Sequence, residues 1–167
     1  DFRMLDAVRR AARGLRKDHR VRAVILYGEG PSFCAGLDVK SVLGTPAAAA
    51  VGLASLFSPV RNRFQEWSMA WREVAAPVIA AIHGNCFGAG LQLALGADIR
   101  LATPDARLSV MEVKWGRVPD MGGAALLREV ADDGGGCVGV CEGRVREGDG
   151  GAGAVRPARA NIQQPGR

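Results

Sequence analysis

The chain has 167 residues, 48% of them apolar and 23% charged, a length and mix that suit one globular domain and exclude a fibrous or wholly disordered protein. No uncharged apolar run reaches the roughly 18 to 20 residues that a membrane-spanning helix needs, and the opening DFRMLDAVRR carries charges where a signal peptide has its apolar stretch, so we expect a soluble, cytoplasmic protein without a membrane partner. A formal charge of +5 permits an acidic partner, but the 22 Lys and Arg are scattered and only one Tyr is present, which argues against a nucleic-acid surface.

Phe2, Leu5, Val8, Ala12 and Leu15 recur at helical spacing and predict an amphipathic helix that closes before Asp18. The chain starts at Asp1, inside this pattern and without an initiator Met, so the expectation is a piece of something longer. VRAVILYG (21–28) is a β-branched, nearly continuous apolar run ending at Gly, which predicts a strand buried on both faces. Residues 59–75 read as a second helix, with Val60, Phe64, Trp67, Met69, Trp71 and Val74 partly on one side; the two tryptophans are expected in the core or at a subunit contact. PVIAAIHG (77–84) repeats the strand design, with Pro77 at the start where a missing N–H is tolerated. GAGLQLALG (88–96) opens a helix at glycines, IRLATP (99–104) is a third strand, and ALLREV continues a helix that starts near Gly123. Helices alternating with buried strands predict an α/β protein.

Composition changes near residue 131. Residues 132–167 hold 10 of the 23 glycines, no aromatic residue and no periodicity, so we expect a core over 1–131 and a tail that is disordered or a frame-shifted reading. Cys34, Cys86, Cys137 and Cys141 read as free thiols, and the CxxxC spacing of the last two, with no second Cys pair, leads us to expect no metal site.

Two segments share one construction: a buried strand, a glycine-bearing turn, then a helix-competent stretch. They are YGEGPSFCAGLDVKSV and HGNCFGAGLQLALG. Glycines let backbone approach a ligand closely, and two N–H groups aimed at one point make an oxyanion hole. A dinucleotide loop fits poorly, because Phe33 stands where the third glycine belongs, no GK[ST] follows, and Leu93 occupies a position that needs a small residue after Gly88-Ala89-Gly90. The GxSxG motif of a serine-hydrolase elbow is absent.

At this point three ordered segments resemble the signatures of the crotonase (enoyl-CoA hydratase/isomerase) superfamily. The first is Ser32-Phe33-Cys34-Ala35-Gly36-Leu37-Asp38-Val39-Lys40. The second runs from Pro77 to His83-Gly84 and through Gly88-Ala89-Gly90-Leu91-Gln92-Leu93-Ala94 to Ala97-Asp98-Ile99-Arg100. The third is Met111-Glu112-Val113-Lys114-Trp115-Gly116-Arg117-Val118-Pro119-Asp120-Met121-Gly122-Gly123. The resemblance implies a crotonase-like spiral of β-β-α units, incomplete at both ends, and acyl-CoA chemistry of fatty-acid metabolism with coenzyme A thioester as substrate and no further cofactor. It implies that the N–H groups of Leu37 and Ala89 hold the thioester oxygen, and that Ala35, Gly36, Asp38, Val39, Gly88 and Gly90 line the CoA site, where Arg and Lys neutralise phosphates. It also implies a homo-trimer or hexamer when intact.

The acid and base depart from the pattern. Where family hydratases carry a first glutamate this chain has Gln92, an amide that orients water or substrate but exchanges no proton at neutral pH. Glu112 holds the second glutamate's position and is the leading proton carrier, and Asp120 resembles the extra aspartate of dienoyl-CoA isomerases or else forms a turn or caps the next helix. One carboxylate suffices to move a proton between two carbons of an enolate, so isomerisation is expected before hydration. A silent fragment that binds CoA or partners only is the alternative. His83 reads as structural, and Cys34 and Cys86 as small buried residues.

Overall fold

The computed structural model describes residues 2–37, 63–116, 118–131 and 146–147. The predicted first helix is present as α1 (Phe2–Leu15), which buries Leu5 and Ala12 and lays Val8 and Leu15 along the core. Its charged side grips the next described helix, α2 (Glu66–Met69). Arg9 Nε donates to Glu66 Oε2 at 2.7 Å, Arg13 Nη2 to Glu66 Oε1 at 2.6 Å, and Arg63 Nε to Asp6 Oδ1 at 3.0 Å.

These ion pairs give acid sensitivity a definite sign. Burial by itself would raise the Glu66 carboxyl, but hydrogen bonds from Arg13 and Arg9 outweigh it and hold it below its ordinary value. The Arg63 hydrogen bond likewise holds Asp6 low. Because both carboxyls titrate lower in the folded chain, their contribution is complete above the unfolded range of about pH 4 to 4.5 and is lost as pH falls through the folded values. Glu66→Gln should therefore lower stability at pH 7 by about 1 kcal/mol and flatten the acid limb of a denaturant-midpoint profile. An acid limb as steep as that of the unmodified chain would remove Glu66 from this role.

The helix expected over 59–75 is shorter and changes pitch. After α2 the backbone tightens into a 3₁₀ turn at Ala70–Glu73 and leaves it at Val74, which is extended. Pro77 just downstream disfavours helical geometry before it, which fits this early stop. Trp67 and Trp71 are buried as core residues, while Val60 lies outside the described residues.

Strands β1 (Val24–Tyr27), β2 (Val78–Ile82) and β4 (Ile99–Ala102) form a parallel sheet in the order β1-β2-β4, with Ile25 opposite Ile79 and Ile79 opposite Ile99. One face turns Val78, Ala80 and Ile82 into the core. The other face overturns the expectation that 21–28 is buried on both sides, because Ile25 is 62% and Tyr27 66% exposed, and Leu101 shares that face. A continuous apolar run identifies a strand but not the number of layers that cover it, and among the described residues only one layer does. Arg100 points inward, where Nη1 donates to Ala97 O at 2.5 Å. Burial lowers its pKa.

A second ladder has no counterpart in the sequence reading. Strand β3 (Asn85–Phe87) pairs in parallel with β5 (Arg107–Ser109), and β5 pairs antiparallel with β6 (Arg146–Glu147). The first two have three residues each, too few for alternation to register. The third lies in the tail, where composition predicts no element. In chain order α3 (Ala89–Leu95) follows β3, and a 3₁₀ turn at Met111–Trp115 and α4 (Gly123–Ala131) follow β5.

Candidate active site

The two glycine turns meet because the segment after β1 is stitched onto β3. Phe33 N–H donates to His83 O at 2.8 Å, Cys34 N–H to Asn85 O at 3.0 Å, and Phe87 N–H to Cys34 O at 2.9 Å. This makes an isolated parallel bridge between Cys34 and Cys86. Gly90 makes the close approach possible, since a Cβ there would lie 2.5 Å from Cys34 O and 2.6 Å from Cys34 Cβ. Gly36 takes a φ of +111° beside Phe87, a conformation that L side chains avoid. The chain from Cys34 to Leu37 is thereby held against the turn that opens α3.

That turn is fixed from two sides. Gly88, at φ 51°, donates its N–H to Ser109 O at 2.9 Å, and Trp67 Nε1 donates to Ala89 O at 2.7 Å. Among the described residues, the N–H groups of Leu37 and Ala89 donate to no backbone carbonyl. Ala89 is buried and Leu37 half-buried. Two backbone donors are thus without a carbonyl partner among the described residues, Ala89 N–H at the junction itself and Leu37 N–H three residues beyond the Cys34 bridge.

Glu112 reaches the same junction from the 3₁₀ turn that carries it. A Cβ on Gly88 would lie 3.3 Å from Glu112 Oε1 and 3.6 Å from Oε2, so the carboxylate rests against the glycine that precedes Ala89. Gln92 Nε2 donates to Glu112 Oε1 at 2.7 Å, and Gly123 N–H donates to Gln92 Oε1 at 2.8 Å. Glu112 Oε2 is buried and accepts no hydrogen bond among the described residues. One carboxylate oxygen is held and the other has no partner among the described residues.

The remaining candidates separate. Ala35 and Gly36 lie on the stitched segment, Ala35 exposed, and Gly88 and Gly90 at the junction. Asp120 is exposed in the turn ahead of α4. Asp38 and Val39 lie outside the described residues, as do Cys137 and Cys141. His83 accepts its place in the turn, with Nε2 at 3.0 Å from Gly30 O. Cys34 and Cys86 are free, and burial pushes the Cys86 thiol far up, so it is inert. Two contributors were not visible in the sequence. Trp67 props Ala89 from 22 positions away, and Gly123 receives the Gln92 amide because it lacks a Cβ. The Met-Gly-Gly run was the only local signal for the second, and nothing local marked the first.

Comparison with known proteins identifies the family. Residues 2–132 match the enoyl-CoA hydratase/isomerase family. The chain is 35% identical over 118 residues to the rat mitochondrial Delta(3,5)-Delta(2,4)-dienoyl-CoA isomerase, an alignment that spans 68% of this chain and 36% of that relative. The crystal structure of an enoyl-CoA hydratase from Mycobacterium smegmatis superposes with a TM-score of 0.70 at 32% identity, covering 87% of this chain and 54% of that one. A Thermobifida fusca protein solved in complex with acetoacetyl-CoA superposes with a TM-score of 0.72 at 30% identity, covering 88% of this chain and 58% of that one. The parallel sheet, the stitched glycine turns and the match over most of the described core lead to one conclusion: the chain belongs to the enoyl-CoA hydratase/isomerase family and has the crotonase fold.

Proposed function

We propose that this site binds an acyl-CoA thioester, stabilises its enolate at the N–H groups of Leu37 and Ala89, and moves one proton through Glu112. The observation that carries the reading is the Glu112 carboxylate, held at Oε1 by Gln92 and bare at Oε2, beside Gly88 and Ala89. The acetoacetyl-CoA found in the Thermobifida fusca relative supports the ligand class.

The chemistry is a double-bond shift. Glu112 Oε2 takes the proton from C2 of a 3-enoyl thioester, and the C–H electron pair moves into the C2–C1 bond as negative charge gathers on the thioester oxygen. Each preorganised donor at that oxygen is typically worth about 2.7–4 kcal/mol in the transition state. The protonated Glu112 then returns the proton to C4, leaving a 2-enoyl thioester and a restored carboxylate. Hydration would need a second group to activate water, and Gln92 supplies none. In this reading the intact protein is a cytoplasmic homo-trimer or hexamer.

Calorimetry with acetoacetyl-CoA tests binding, with heat saturating at micromolar to millimolar ligand as the expected outcome. Assays with 3-enoyl-, 2-enoyl- and dienoyl-CoA test the chemistry, with the 3-enoyl substrate turned over fastest. The aligned span of 36% of the rat isomerase gives weight to a second reading, a module that binds CoA without turnover. Heat without turnover would select it, and no heat would sink both.

A further inference from the structure

We infer that Gln92 is a positioning residue that fixes the orientation and the reactive oxygen of Glu112, with Gly123 as its anchor; this rests on the proton-transfer reading above. Gln92 is 1% exposed, so its amide is committed to protein groups. Its orientation is settled by its partners, because Gly123 N–H can only donate. Oε1 of Gln92 therefore faces Gly123, and Nε2 faces Glu112. The Gly123 contact is tight enough that a Cβ there would lie 2.5 Å from Gln92 Oε1. A backbone N–H on α4 thus sets an amide on α3, and the amide sets a carboxylate on the 3₁₀ turn.

A hydrogen bond donated to a carboxylate favours its ionised form, and such charge-assisted bonds are the strong ones. No salt bridge in the described residues reaches Glu112, so the Gln92 amide is the side-chain donor that holds its carboxylate in place. The same bond occupies Oε1 and leaves Oε2 as the oxygen that carries the proton. A glutamate at position 92 could do this only while protonated, whereas the amide does it at every pH.

Titration of the Glu112 carboxyl by carbon NMR, assigned through Glu112→Gln, tests this without depending on turnover. In Gln92→Leu the Glu112 titration should move upward from that of the unmodified chain, since the charge-assisted bond from the amide is lost. The acid limb of kcat/KM for 3-enoyl-CoA should rise with it, and kcat should fall about 10- to 100-fold. Gly123→Ala, which displaces the amide without removing it, should move the titration in the same direction. Gln92→Glu should stay close to the unmodified rate at low pH, where its acid form reproduces both hydrogen bonds, and lose rate as the carboxylate pair gives up its shared proton. A Glu112 titration unchanged in Gln92→Leu and Gly123→Ala overturns the inference, as does an equal loss of rate at every pH in Gln92→Glu. If Gln92→Leu fails to fold, the Gln92→Glu profile decides. An unmodified chain without turnover sinks the proton-transfer reading, and the NMR titration still decides whether Gln92 sets Glu112.

Discussion

Glu112→Gln should lower turnover of a 3-enoyl-CoA by about 10²- to 10⁴-fold, the usual worth of a positioned acid–base group. The substitution keeps the shape of the side chain, and an amide oxygen can still accept from Gln92 Nε2, so the 2.7 Å contact and the fold around it survive. What is lost is the basic oxygen beside Gly88, because an amide takes no proton at neutral pH. The loss should fall on kcat, with KM and acetoacetyl-CoA affinity changed little, since the proposed binding contacts are backbone donors that the substitution does not touch. Asp120→Asn is the matched control. Asp120 is exposed in the turn ahead of α4, and its substitution should change the rate by no more than about twofold, as for other surface charges. Unchanged turnover in Glu112→Gln would remove Glu112 from the mechanism, and a larger loss in Asp120→Asn would transfer the proton to Asp120.

Gly90→Ala should lower activity by a different route. Its Cβ would sit 2.5 Å from Cys34 O and 2.6 Å from Cys34 Cβ, and one of these is backbone, which cannot turn aside as a flexible side chain can. Either α3 or the Cys34–Leu37 segment must move, and both carry a proposed oxyanion donor. Losing the alignment of one donor costs about 2.7–4 kcal/mol of transition-state stabilisation, roughly 10²- to 10³-fold in kcat. Overpacking adds about 1–3 kcal/mol of destabilisation, visible in the denaturant midpoint. Activity and acetoacetyl-CoA binding should both fall, in contrast with Glu112→Gln, where binding persists. A Gly90→Ala chain with normal turnover would show that the two turns need not touch.

Local rules carried the helices and strands that are long and periodic. α1 is legible because Leu5, Val8, Ala12 and Leu15 repeat at 3.6 residues, and β2 because a β-branched run after Pro77 has few other stable conformations. The pitch change at Ala70–Glu73, the three-residue strands β3 and β5, and the open face at Ile25 and Tyr27 were not legible. Each depends on what packs against the segment, and a window of sequence contains no such information. The site divides the same way. Glu112, Gln92, Gly88 and Gly90 are candidates through their motifs, but the bonds that join Glu112 to Gln92 and Gln92 to Gly123 were not legible, since they run between α3, the 3₁₀ turn and α4.

Alternating helical and strand patterns by themselves determined an α/β protein, and three ordered segments that resemble family signatures pointed to the enoyl-CoA hydratase/isomerase family and to Gly88, Gly90, Gln92 and Glu112 as candidates. Only the tertiary structure decided that Gly123 N–H orients Gln92, that Gln92 holds one oxygen of Glu112, and that the other oxygen is bare beside Gly88. The physical reason is range. Propensity and periodicity act over a few residues, whereas the bond from Gly123 to Gln92 spans 31 positions and the bond from Gln92 to Glu112 spans 20, and such bonds exist only after the elements have packed.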